Sequence, residues 1–145
     1  MIPAGISEAK TIPTTWTYAD YNWIAELPGR GHSSPVVWGN KLFVTCCDES
    51  ASMRHLVCLN TKDGSILWKK DFPFEKYKQQ KNNSYASSTP TVDADHAYVL
   101  WHSKQSSPLV ALDHDGKEVW RYDLGAYTHG QGGATSPVVI DDLVV

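Results

Sequence analysis

One short pattern returns three times along this chain, and no other feature constrains its fold as much. It reads Trp23-Ile24-Ala25-Glu26-Leu27-Pro28, then Trp68-Lys69-Lys70-Asp71-Phe72-Pro73, then Trp120-Arg121-Tyr122-Asp123-Leu124-Gly125, with the Trp positions 45 and 52 residues apart. The shared form is Trp, two residues, an acid, a large apolar residue, then Pro or Gly. A second pattern follows each copy: Ser33-Ser34-Pro35-Val36-Val37, Ser88-Thr89-Pro90-Thr91-Val92 and Thr135-Ser136-Pro137-Val138-Val139, with the Pro positions 55 and 47 residues apart. A third precedes two of the Trp residues, running from Leu56 to Trp68 and from Leu109 to Trp120. In both of those copies an Asp-Gly pair places its Gly four residues before the Trp. Three interleaved patterns in one fixed order make each repeat a supersecondary unit that buries its apolar faces only against its neighbours.

The unit is made of strands. Six Trp, seven Tyr, eight Pro and ten Gly in 145 residues suit short strands and tight turns better than helices. Between Pro35 and Trp68 the alternation predicts strand A at about Pro35 to Trp38, B at Lys41 to Cys47, C at His55 to Leu59 and D at Ile66 to Asp71. Gly39-Asn40 is a two-residue hairpin turn needing positive φ, Asp48 to Met53 a polar loop, and Asp63-Gly64 a tight turn. The next unit repeats this with strands at Pro90 to Val92, His96 to Trp101, Leu109 to Leu112 and Glu118 to Tyr122. Pro at the start of strand A can spare its missing N–H. Phe74 to Asn83, with Glu75, Lys76, Lys78 and Lys81, reads as a polar insertion containing one helical turn. Four strands per repeat at this spacing predict an all-β fold, a β-propeller of four-stranded antiparallel blades.

The expected organisation is an N-terminal extension over residues 1–20 and a partial propeller over 21–145. The latter comprises a closing strand at 21–27, blades at 29–72 and 84–124, and the start of a further blade at 133–145. The first segment is a strand D with no A to C before it. The last stops in mid-strand, and a C-terminal part beyond it is expected to supply the partners of the first segment. Propellers carry four to eight blades, and two blades alone leave open edges.

Ala111-Leu112-Asp113-His114-Asp115-Gly116-Lys117-Glu118-Val119-Trp120 resembles the Ala-x-Asp-x-x-Thr-Gly-Lys-x-x-Trp docking motif of the pyrroloquinoline-quinone (PQQ)-like, quinoprotein-type propeller repeat. The turn is one residue shorter and Asp115 stands where Thr is usual. Cys58 to Trp68 is a looser copy, with Cys58 for Ala, Asn60 for Asp and Ser65 for Lys. The resemblance implies structural docking residues: Trp23, Trp68 and Trp120 packing between neighbouring blades, against turns that carry Gly64 and Gly116. It also implies two kinds of function. Some members are dehydrogenases holding the quinone and a calcium ion on the propeller axis. Others resemble the propeller lipoprotein of the outer-membrane barrel-assembly machinery, bind no quinone and act as scaffolds. Fold alone does not choose between them.

Cys46-Cys47-Asp48 is similar to the vicinal Cys-Cys that quinoprotein alcohol dehydrogenases set against the cofactor. The family's Asn-Arg-Gly-type continuation is replaced here by Glu49-Ser50-Ala51-Ser52. The competing expectation is two small apolar residues on opposite faces of a strand, with a cross-strand disulfide to Cys58 left open. The segments entering strand A are expected to open onto the central channel, offering His32, Tyr85 and His129, with Arg30 and Gln131, as rim candidates for binding. The alternative is that these side chains bond to neighbouring blade backbones. No catalytic set and no metal site is expected: the six His share no ligand spacing, the glycines at 130, 132 and 133 precede no helix, and Asp93, Asp95, Asp141 and Asp142 fall in turns.

A net charge of -3 and the lack of a basic patch argue against nucleic-acid partners. No apolar run reaches the length of a membrane span. The expected function is therefore a non-catalytic repeat propeller binding a protein or small ligand, without cofactor, in a periplasmic or extracytoplasmic setting by family resemblance. The alternative is a PQQ-dependent oxidoreductase whose quinone and calcium residues lie mostly in other blades. A third expectation is an extracellular sensor domain of a larger membrane protein.

Overall fold

The computed structural model describes residues 10, 11, 13–128 and 132–145. After a 3-10 turn at Tyr18–Asp20, ten strands follow: β1 Val36–Trp38, β2 Lys41–Asp48, β3 Met53–Asn60, β4 Ile66–Pro73, β5 Thr91–Val92, β6 His96–Leu100, β7 Pro108–Asp113, β8 Glu118–Asp123, β9 Val139–Ile140 and β10 Leu143–Val144. They form two four-stranded sheets, β1-β2-β3-β4 and β5-β6-β7-β8, and a hairpin of β9 with β10. Every pairing is antiparallel. The two sheets are consecutive propeller blades and the hairpin begins a third. Gly39, at φ 58, makes the tight β1–β2 turn, and Asp141, at φ 51, makes the β9–β10 turn.

The inner strands β2, β3, β6 and β7 are buried along nearly their whole length, because each blade is covered on both faces. Alternation then sorts the side chains. Phe43, Cys47, Leu56 and Cys58 of the first blade meet Ala97, Val99, Trp101, Val110 and Leu112 of the second in one continuous core. Val44, Cys46, Val57 and Leu59 point the other way and are covered by Ala25 and Leu42.

Three devices hold the blades in register. The first is the Trp. Trp23 donates its indole N–H to Thr61 O at 2.8 Å, and Trp68 donates to His114 O at 2.9 Å. Each ring lies on the glycine of the following turn, Gly64 at φ 72 or Gly116 at φ 86. A methyl group on Gly116 would come within 2.8 Å of the Trp68 ring, so shape and positive φ both demand glycine there. Opposite Trp68 and Trp120 stand the small residues Cys58 and Ala111, and both blades carry a register shift at the next pair. A bulge of this kind re-aims the side chain beside it. The second device is Lys41, whose ammonium reaches His114 O at 2.7 Å and Asp115 at 3.0 Å.

The third device explains the Ser/Thr-Pro pattern. The N–H of Ser34 donates to the Thr89 hydroxyl at 3.0 Å, and the N–H of Thr89 donates to the Ser136 hydroxyl at 2.9 Å. The residue before each Pro therefore hands one hydrogen bond to its counterpart in the next blade. Thr45 adds a bond from its hydroxyl to Ser88 O at 2.9 Å.

Tyr21–Leu27 enters no ladder among the described residues; Trp23 is held by its indole. One sequence expectation fails. Residues 74–83 form no helical turn, and they are less polar in effect than in composition. Phe74 and Tyr77 turn inward onto Tyr85, with ring centroids 4.7 and 5.1 Å away, and such contacts outweigh a marginal single turn of helix.

Candidate functional site

Three of the rim candidates, Arg30, His32 and Tyr85, lie among the described residues, and their side chains make no hydrogen bond to one another. Arg30 forms a backbone bridge with Cys47, N–H to O at 2.9 and 2.7 Å, which leaves its side chain exposed. His32 donates its backbone N–H to Ala86 O at 3.0 Å, and its side chain is also exposed. Tyr85 is committed elsewhere: its hydroxyl donates to Tyr77 O at 2.8 Å and its ring is packed by Phe74 and Tyr77. His129 and Gln131 lie outside the described residues. Arg30 is thus tied to β2 of its own blade, and His32 to the segment that enters the next one.

The cysteines are packing residues. Cys46 and Cys47 occupy opposite faces of β2, in different apolar clusters. All three cysteines are buried free thiols. Burial pushes each of them up to about 11, the opposite of an activated thiolate. Cys46, His55 and Asp71 stand side by side across β2, β3 and β4, an order that suggests nucleophile chemistry. His55 does bond Asp71 at 2.8 Å, but Cys46 is fully buried and the carboxylate is held low first by Lys69, 2.9 Å away. The row is a structural imidazole–carboxylate hydrogen bond beside an inert thiol. Among the described residues no group of three His, Cys, Asp or Glu could hold a metal ion.

The concentration of buried polar groups lies between the two blades, at the end where β3 begins and β6 ends. Arg54 is 4 % exposed. Its guanidinium donates from Nη1 to His102 O at 3.0 Å and lies 4.7 Å from the Phe74 ring and 4.9 Å from that of Trp101. His102 is buried, its ring packed at a tilt against Tyr127 with centroids 4.5 Å apart. Burial, and then the positive Arg54, keep its imidazole below the ordinary histidine range. Phe74 and Arg54 open into a cleft of about 470 Å³, completed by Glu75, Ser103, Gln105, Ser106 and Arg121. The sequence places a loop at Asp48 to Met53 and strand C from about His55, which leaves Arg54 outside both. The signal was nonetheless present: Arg54 alternates with Leu56 and Cys58, the inward residues of β3.

This geometry can be set against known proteins. A family model described as outer membrane protein assembly factor BamB matches residues 14–145. The chain belongs to this PQQ-like repeat propeller family. Among solved structures, BamB from Moraxella catarrhalis superposes with a TM-score of 0.58 at 17% identity, covering 85% of this chain and 36% of that one. A europium-containing methanol dehydrogenase superposes with a TM-score of 0.53 at 21% identity, covering 79% of this chain and 20% of that one. At these identities the likeness is one of fold. The chain thus spans about a third of the one relative and a fifth of the other. No curated protein matches it significantly.

Proposed function

We propose that this PQQ-like propeller segment belongs to a non-catalytic scaffold that binds another protein, in an extracytoplasmic compartment and without a quinone. The observation that carries this reading is the placement of Cys46 and Cys47. They are the one pair resembling a quinoprotein cofactor support, and both are spent in the blade core on opposite faces of β2. A vicinal platform for a flat cofactor would need them together on one open surface. The described blades are also cross-tied by side-chain bonds at Trp23, Lys41, Trp68 and the Ser/Thr-Pro positions, which suits a rigid frame. The matching family is described as an outer membrane protein assembly factor, so the partner proposed here is a component of such an assembly machinery. No helix among the described residues is long and apolar enough to cross a membrane.

The test is co-purification of the tagged protein, after mild cross-linking, with a barrel component of the outer-membrane assembly machinery identified by mass spectrometry. Recovery of that component, lost when the propeller is unfolded, supports the scaffold. A protein that co-purifies with none of the machinery and reduces a dye with an alcohol contradicts it. The second reading, a quinoprotein oxidoreductase, is favoured by the superposition on a methanol dehydrogenase. It would require the cofactor residues to come from other blades.

A further inference from the structure

Arg54 does more than blade packing asks of it. A cation taken out of water costs several kcal/mol unless an anion joins it. Among the described residues no carboxylate pairs with Arg54. Its partners are one carbonyl, at His102, and two aromatic rings. Its Nε is buried without a hydrogen-bond partner. The carboxylates nearby are occupied: Glu75 accepts from Gln105 Nε2 at 3.0 Å, and Glu118 takes both arms of the Arg121 fork at 2.9 Å. A buried, unpaired guanidinium thus borders an open cleft of about 470 Å³, a size within the ordinary range of small-molecule sites.

We propose that this inter-blade cleft binds a carboxylate group, with Arg54 as its counter-cation and the polar groups of Ser103, Gln105 and Ser106 along its rim. The chemistry selects a carboxylate over a phosphate. Phe74 and Trp101 cover the guanidinium as aromatic neighbours, which favours a flat partner at its edge, and a carboxylate meets that edge with two parallel bonds. Glu75 stands on the same cleft and repels a doubly charged phosphate more than a singly charged carboxylate. The carboxylate can belong to a free small acid or to an acidic side chain presented by a protein. The site is independent of whether the propeller proves a scaffold or an enzyme.

The experiment is isothermal titration of the whole protein with acetate, with a short end-capped peptide carrying one Glu, and with inorganic phosphate. Saturable binding of acetate marks a free acid as the source, and of the peptide alone a presented side chain. In either case Arg54→Met is expected to lose about tenfold or more in affinity. Replacing an unpaired buried cation with an apolar residue tends to leave a fold intact or strengthen it. Glu75→Gln, at an exposed position, is expected to bind a few-fold more tightly by removing a like charge. The proposal is overturned if neither carboxylate binds the folded wild type more tightly than about 1 mM. It is equally overturned if phosphate alone binds, or if both variants bind as the wild type does.

Discussion

Substituting Trp68 with alanine removes the joint between the first and second blades, and the structure sets the size of the loss. Deleting a fully buried Trp costs about 3–5 kcal/mol. Trp68 is partly buried, so about half of that, ~2 kcal/mol, belongs to its contacts with Gly116 and Phe43. Its bond to His114 O, 2.9 Å long, adds ~1 kcal/mol. The expected total is about 3 kcal/mol. Trp68→Phe keeps most of the ring contact and loses the indole N–H, so it should cost about 1–1.5 kcal/mol. Urea unfolding followed by far-ultraviolet circular dichroism reads both, as midpoints multiplied by the slope. Blades couple only to their neighbours, so the alanine variant should also unfold over a broader range of urea. The reasoning fails if the phenylalanine variant loses as much as alanine, or if alanine costs less than ~0.5 kcal/mol, the size of an ordinary surface change.

Other consequences can be measured on the same protein. Thr89→Val removes a hydroxyl that accepts the Ser34 N–H while keeping the shape, and should cost ~1 kcal/mol in urea unfolding; no loss would mean that the inter-blade relay contributes nothing. His102 is held below its ordinary 6.5 chiefly by burial, so the unfolded chain binds its proton more readily. The stability gained from a neutral His102 is complete above about pH 6.5 and falls as pH drops below that value; His102→Gln should flatten the pH 5–7 part of the stability profile, and an unchanged slope would contradict the assignment. With thiols pushed to about 11 and buried, Cys46, Cys47 and Cys58 should react with a thiol reagent at pH 8 only as fast as the protein opens. Rapid labelling of the native protein would place at least one of them at the surface.

The blades were legible because their signals are local. Asp63-Gly64 and Asp113 to Gly116 announce turns by composition, and Lys41 to Cys47 or Leu109 to Leu112 announce strands by their apolar runs. Strand ends consequently fell within about two residues of those observed, as expected of local patterns. Long-range requirements were not legible. Nothing near Ser34, Thr89 or Ser136 says that the Thr89 and Ser136 hydroxyls each receive a backbone N–H from the blade before, although the recurrence of Ser or Thr before Pro marks the positions. Phe74 and Tyr77 sit among four charged residues and read as solvent-facing until the aromatic cluster around Tyr85 is in place. Arg54 is a charge on an inward strand position, the type of local contradiction that tends to accompany a functional or strained site. His32 and Tyr85 stand at equivalent blade positions, and such equivalence fixes backbone position but not the direction or company of a side chain.

Quinone binding tests the central claim most directly. The full-length protein, shown to be folded, is mixed with PQQ and calcium, and the cofactor absorbance and dye reduction with alcohols and sugars are followed. The scaffold account predicts no change in the quinone spectrum and no turnover. A stoichiometric bound quinone that reduces the dye would contradict it and make this segment part of a dehydrogenase.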